Sequence, residues 1–178
     1  MKYTKIPETA FQNIQLNAGV LLSSFTPETA AVANEAIIGA TTGGVNFTAT
    51  PTFSDYGEDI DNCPKNMKEL KKLDSWEISM SGTYVTVDAN AVKSLVGAAD
   101  VSGNKITPRN DVLLTDFTDV WWVGDYSDQN GETNGGFAIK STDNGKGTFA
   151  FTYTAHYSMD AQDTVPFEVY VKAGTAES

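Results

Sequence analysis

His156 is the single histidine and Cys63 the single cysteine of the chain, so chemistry that needs an imidazole or a thiolate must run through one of these positions. A Ser-His-Asp triad would have to use His156. That residue continues the threonine row Thr148, Thr152, Thr154, and no Gly-x-Ser-x-Gly elbow occurs anywhere. Cys63 lies before Pro64 in an acidic stretch, with no histidine or helix start beside it to favour the thiolate; it reads as a small apolar contact. One cysteine excludes an internal disulfide and a cysteine-based zinc cluster, and one histidine excludes a histidine-rich metal site. Thr41-Thr42-Gly43-Gly44 is not followed by the Lys-Ser/Thr of a phosphate loop. Two acidic clusters, Glu58/Asp59/Asp61/Asn62 and Asp125/Asp128/Asn130/Glu132, lack the alternate-ligand spacing of a calcium loop and read as solvated acidic turns. A carboxylate pair for glycoside hydrolysis is not selected by spacing among 23 acids. These residues therefore predict a protein that is not an enzyme and that holds neither a cofactor nor a metal.

Trp121-Trp122 is the remaining feature with chemical reach. Adjacent positions on a strand place one indole on each face, so one of them is expected to meet solvent or a partner. Burial at a subunit contact is the favoured expectation; a stacking platform for carbohydrate is the functional alternative. The Asn46-Phe47-Thr48 acceptor pattern carries nothing without a secretory leader, and residues 1–25 show no basic-then-apolar order.

The charge balance narrows the class further. Twelve Lys+Arg against 23 Asp+Glu give a formal net charge of −11, which repels phosphate at long range and excludes a basic nucleic-acid binder. The longest apolar runs, 19–22 and 120–123, are too short to cross a bilayer, so no membrane partner is expected. At 178 residues the chain fits one domain, 1–178, with a real core.

The elements that must position these residues are mostly strands. Apolar and polar residues alternate over Asn13 to Leu22, Val45 to Phe53, Trp76 to Tyr84, Gly147 to Tyr157 and Val165 to Lys172, with further strands near Asp119 to Tyr126 and Gly136 to Lys140. The strand from Gly147 has an aromatic face (Phe149, Phe151, Tyr153, Ala155, Tyr157). One helix is expected over Ala89 to Val96, capped by Asp88 and stopped by Gly97, and a turn near Met67 to Leu73. Residues 56–74 form a long inter-strand insertion loop, acidic first and basic later; connections of this length usually have a job. Residues 1–11 and 173–178 read as arms. The fold class predicted is mainly β, a β-sandwich or half-barrel with one short flanking helix.

The backs of these strands carry few charges. An ordinary half-exposed sheet shows Lys and Glu outward, which also blocks edge pairing. Here the outward residues are Thr, Ser and Asn. Such backs suit a polar sheet stacked on another, or the wall of a water-filled ring built from many copies.

The run 45–51 (Val-Asn-Phe-Thr-Ala-Thr-Pro), the run 56–64 (Tyr-Gly-Glu-Asp-Ile-Asp-Asn-Cys-Pro) and the run 68–77 (Lys-Glu-Leu-Lys-Lys-Leu-Asp-Ser-Trp-Glu), with the later helix and the aromatic strand, resemble the major tail (tail tube) proteins of long-tailed, non-contractile bacteriophages of Gram-positive hosts. The resemblance covers most of the chain, and none of these runs is a catalytic signature. It implies a tail-tube sandwich or half-barrel, hexameric rings stacked into a hollow tube in the virion tail, and assembly in the host cytoplasm. Implied partners are further copies of the chain, a tape measure protein, and tail terminator and tip proteins, with DNA passing through unbound.

Within that frame, Glu58, Asp59 and Asp61 on one ring are expected to meet Lys65, Lys68, Lys71 and Lys72 on the next, a head-to-tail arrangement that propagates. Exposed pairs contribute about 0–1 kcal/mol each, so they set register while apolar burial supplies affinity. The bore is expected to be acidic and lined by the strands that flank the insertion, with Asn46, Thr48, Thr50, Glu77, Ser79 and Ser81 facing inward. The alternative function is a carbohydrate- or receptor-binding β-sandwich module of a virion; a small hydrolase with an unrecognised carboxylate pair is the third.

Overall fold

The computed structural model describes residues 14–29, 32–85, 89–127, 133–144 and 150–172. Both expected arms, the Asp88 cap, Phe149 and the acids Asp128 and Glu132 lie outside these residues. Nine strands and one helix follow in order: β1 Ile14–Leu22, β2 Ile37–Asp55, β3 Lys71–Tyr84, α1 Ala89–Val96, β4 Ala99–Ser102, β5 Lys105–Pro108, β6 Thr118–Ser127, β7 Thr133–Asn144, β8 Ala150–Thr154 and β9 Phe167–Lys172. Seven strands form one antiparallel sheet in the order β8-β3-β2-β1-β6-β7-β9, and β4-β5 form a separate small hairpin. The large sheet curls into a half-barrel, so the mainly β expectation holds, as does the single flanking helix.

Alternation sets the curl. Ile78, Met80, Phe151, Tyr153, Leu21, Val120, Trp122 and Ile139 all point to one side and are buried there. The far end strand folds back over the near end. The Phe167 ring of β9 packs on Phe47 of β2 and Trp76 of β3 at centroid distances of 5.5 and 5.8 Å. The helix closes the core at one end: Leu95 joins the buried cluster and the Ser94 hydroxyl meets the Tyr153 hydroxyl at 2.8 Å. Tyr153 in turn shares a 2.6 Å hydrogen bond with Tyr84, and burial raises the pKa of both phenols, Tyr84 strongly, so both remain protonated. Gly97, at φ +76°, ends α1 with its N–H donating to the Lys93 carbonyl at 2.9 Å.

The hairpin β2–β3 is the dominant feature. Residues 37–42 of β2 pair with β1, whereas residues 45–55, among the described residues, pair only with β3, from Val45↔Gly82 to Asp55↔Lys71. Gly43 and Gly44, at φ +74° and +72°, make the bulge that steers β2 away from β1. A ribbon of about 33 Å results from ten steps of strand rise. Two expectations are corrected here. The insertion is shorter than expected, because Lys71 and Lys72 belong to β3, where their backbones pair with Asp55 and Ser54. The strand expected from Gly147 to Tyr157 ends at Thr154, because Tyr157 turns aside to accept a hydrogen bond from the Trp76 N–H at 3.0 Å.

Candidate functional site

The outward rows of β2, β3 and β8 lie in register. Asn46 pairs with Ser81 and Ser81 with Thr152; Thr48 pairs with Ser79 and Ser79 with Thr154; Thr50 pairs with Glu77. Asn46, Thr48, Thr50 and Glu77 are exposed, and Ser79 and Ser81 are half-buried between their flanking strands. The six expected lining residues thus share one face. That face is a hydroxyl and amide surface in which Glu77 is the single carboxylate among the six. Short side chains with neutral polar ends hold water at this surface, and the six residues offer neither an apolar patch nor a cation.

Beyond this face, the hairpin ends in a compact tip, residues 56–70. Asp55 organises it: one carboxylate oxygen accepts the Gly57 N–H at 2.9 Å and the other the Asn66 N–H at 3.2 Å. Tyr56 N–H donates to the Leu70 carbonyl at 3.0 Å, and Lys71 Nζ donates to Asn66 Oδ1 at 2.9 Å. Asn62 and Asn66 take positive φ of 60° and 64°, which their side chains tolerate better than most. Glu58, Asp59, Asp61, Lys65 and Lys68 are all exposed on the tip, with Lys71 and Lys72 on the strand just below. Lys68 Nζ lies 3.6 Å from Glu69 Oε1, with both side chains largely in water, which contributes little to stability.

The tip and the strand ends just below it also carry apolar residues that charge patterning does not reveal. Phe53, Tyr56, Ile60, Met67 and Leu73 are 39–58 % exposed. A group of exposed apolar side chains on one projection marks a contact surface more readily than scattered ones do. Cys63 is half-buried within the tip, its Sγ 3.6 Å from Met67 Sδ.

Trp122 and Trp121 are both covered by the chain itself, which corrects the expectation that one indole meets solvent or a partner. Trp122 is fully buried in the concave core. Trp121 is 7 % exposed, with Phe25 at 5.6 Å, Tyr170 at 5.6 Å and Lys140 Nζ 5.7 Å over its ring. His156 is exposed beyond β8, its ring edge-on to Phe117 at 5.3 Å. Among the described residues no three His, Cys, Asp or Glu side chains gather into a metal-binding group, and no helix is long and apolar enough to cross a membrane.

A charged cluster that sequence reasoning missed holds the loop after β5. The Arg109 guanidinium lies 3.0 Å from Asp100, 3.7 Å from Asp111 and 2.6 Å from Asp116. The other Asp116 oxygen accepts the Leu113 N–H at 2.8 Å. That backbone hydrogen bond and the nearby Arg109 charge hold the Asp116 carboxyl below its ordinary range. Because the folded value is depressed, the carboxylate's contribution is present above the ordinary value and is lost as pH falls through the folded one. The loop is therefore expected to stay ordered from pH 5 to 8 and to loosen only below about pH 4. Hydrogen exchange at the Leu113 amide reads this, and Asp116→Asn should remove the acid-side transition.

The two end strands of the sheet complete the surface. β8 and β9 form no ladder with each other among the described residues, and β9 leaves Val169 and Val171 at 43 % and 66 % exposure. An open end strand with apolar side chains is a template for another strand. The chain matches no family model, no curated protein and no solved structure.

Proposed function

We propose that this protein is a structural subunit that joins with copies of itself into rings, stacked as a hollow tube through which DNA passes. The observation that supports it best is the Thr/Ser/Asn face of β2, β3 and β8, with Glu77 the one carboxylate among its six expected residues, on a curled sheet whose end strands pair with no further strand among the described residues. A face of this composition, with one carboxylate and no cation among the six residues, suits a wall past which a polyanion must slide without sticking. Open ends and a projecting hairpin supply what a closed ring and a stack require.

The resemblance to the tail tube proteins of siphophages adds the six-fold ring, the virion tail as location, and the tape measure, terminator and tip proteins as partners. In such a ring Glu77 contributes one carboxylate per subunit, so the negative lining comes from a repeated single residue. The alternative, a carbohydrate- or receptor-binding module of the virion, has no specific observation in its favour now that both indoles are covered.

Sedimentation of the purified protein over a concentration series, followed by negative-stain microscopy, tests the proposal. Hollow rings or tubes of uniform diameter are expected. A monomer at every concentration and salt would overturn it.

A further inference from the structure

We propose that the loops 110–118 and 156–166 form the seat for the hairpin tip of a second copy of this chain. The proposal deepens the tube reading by naming the surface that receives the tip, and as far as assembly is concerned it rests on that reading.

The two loops are brought together by the Phe117–His156 contact. They display some of the most exposed apolar side chains of the protein: Val112 at 65 %, Leu114 at 91 % and Met159 at 87 %. Ion pairs and hydrogen bonds tie down the backbones that display them. Arg109 is 15 % exposed and gripped by Asp100, Asp111 and Asp116, and Asp116 ties down the Leu113 backbone. The second loop is turned by Ser158, whose hydroxyl accepts the Asp160 N–H at 3.2 Å. A preordered apolar surface loses little conformational entropy when it binds, which is what distinguishes a seat from a floppy loop.

Charge selects the occupant. The loops contain Asp111, Asp116, Asp160 and Asp163 and no lysine or arginine; Arg109, just before the first loop, pairs with Asp111 and Asp116, so Asp160 and Asp163 carry most of the charge presented. The second half of the hairpin tip and the strand start just below it hold the densest group of cations in an otherwise acidic chain, Lys65, Lys68, Lys71 and Lys72 against the single acid Glu69, beside the exposed Met67, while Glu58, Asp59 and Asp61 occupy the first half. An apolar patch rimmed by carboxylates on one surface thus matches the lysine-bearing second half of the tip, residues 65–72, on another surface of the same chain. Two different surfaces in contact make a head-to-tail joint, which leaves a free tip and a free seat at every step and so propagates. The lysines then meet the Asp111/Asp160/Asp163 rim of a neighbour and not the acids of its tip, which refines the pairing expected from the insertion alone.

Cys63 provides a native probe on the tip. Leu114→Cys places a second thiol on the seat at a position that supports no packing in the monomer. Treating the assembled variant with a flexible bis-maleimide is expected to give a ladder of dimers, trimers and higher species. Cys63→Ser added to Leu114→Cys should collapse the ladder, and mixing that double variant with wild type should give the mixed dimer. Asp160→Lys with Asp163→Lys should raise the concentration needed for assembly at least tenfold, and Lys65→Glu with Lys68→Glu should restore it. An intrachain link, links between seats only, or no link overturns the seat. Hollow tubes without the ladder would overturn the seat and leave the conduit standing; a ladder in particles without a bore would uphold the seat and overturn the conduit.

Discussion

Trp122→Ala is expected to lower the melting temperature by about 10 °C, the largest effect of any single substitution in the core. Truncating a fully buried tryptophan costs about 3–5 kcal/mol, and each kcal/mol is worth about 2–4 °C in a chain of this size. The indole is unusually well fitted. It lies over Gly19 and Gly124, which pair across β1 and β6, and a Cβ built on either glycine would come within 2.6 or 2.3 Å of its ring. Its Nε1–H donates to Thr41 Oγ1 at 3.0 Å, and that hydroxyl donates to the Gly19 carbonyl at 3.1 Å. Removing the ring would leave a cavity and break a buried polar chain linking β6, β2 and β1. The fit also predicts strong coupling. Gly124→Ala should destabilise the wild-type protein and cost almost nothing in the Trp122→Ala background; thermal melts of the four proteins of that cycle measure it, and equal costs in the two backgrounds would refute the stacked arrangement.

Ile60→Asp combined with Met67→Asp is expected to raise the critical concentration for assembly by a factor on the order of 100 while leaving the melting temperature of the monomer within about 2 °C. Both side chains are exposed on the tip, at 52 % and 39 %, so the core does not register the change. Burying an apolar side chain of this size against a neighbour is worth about 1.5–3 kcal/mol, and a factor of 100 in an equilibrium constant corresponds to about 2.8 kcal/mol. Light scattering over a dilution series reads the assembly threshold. An unchanged threshold would show that the tip is not a contact surface.

Much of this architecture was legible in the chain wherever one strand face is buried. Phe151 and Tyr153 are buried while Thr152 and Thr154 are exposed, as their alternation predicts, and α1 spans Ala89–Val96 as its stripe and Gly97 stop predict. The first half of β2 was not legible, because residue type and burial run opposite there: Ile37 is 40 % exposed while Thr41 is buried, so 37–42 shows no apolar–polar alternation. Lys71 and Lys72 look like loop residues, but a ladder is made by backbone groups and tolerates charged side chains that point to water. β4 and β5, with four residues each around Gly103, are too short for a periodic signal. The site divides in the same way. That Asn46, Thr48, Thr50, Glu77, Ser79 and Ser81 share one face was legible because side-chain direction follows from period two, whereas the covering of Trp121 by Phe25, 96 positions earlier in the chain, is a tertiary fact that alternation cannot encode. The Arg109 cluster was equally hidden, since its carboxylates at 100, 111 and 116 form no recognisable spacing.

The most direct test of the conduit is a cryo-electron microscopy reconstruction of the assembled protein. The account predicts a six-fold ring in which strands of adjacent subunits form a shared ladder and Asn46, Thr48, Thr50, Glu77, Ser79 and Ser81 line the central hole. Subunits whose sheets end at their own margins, or a hole lined by a different face, would contradict it.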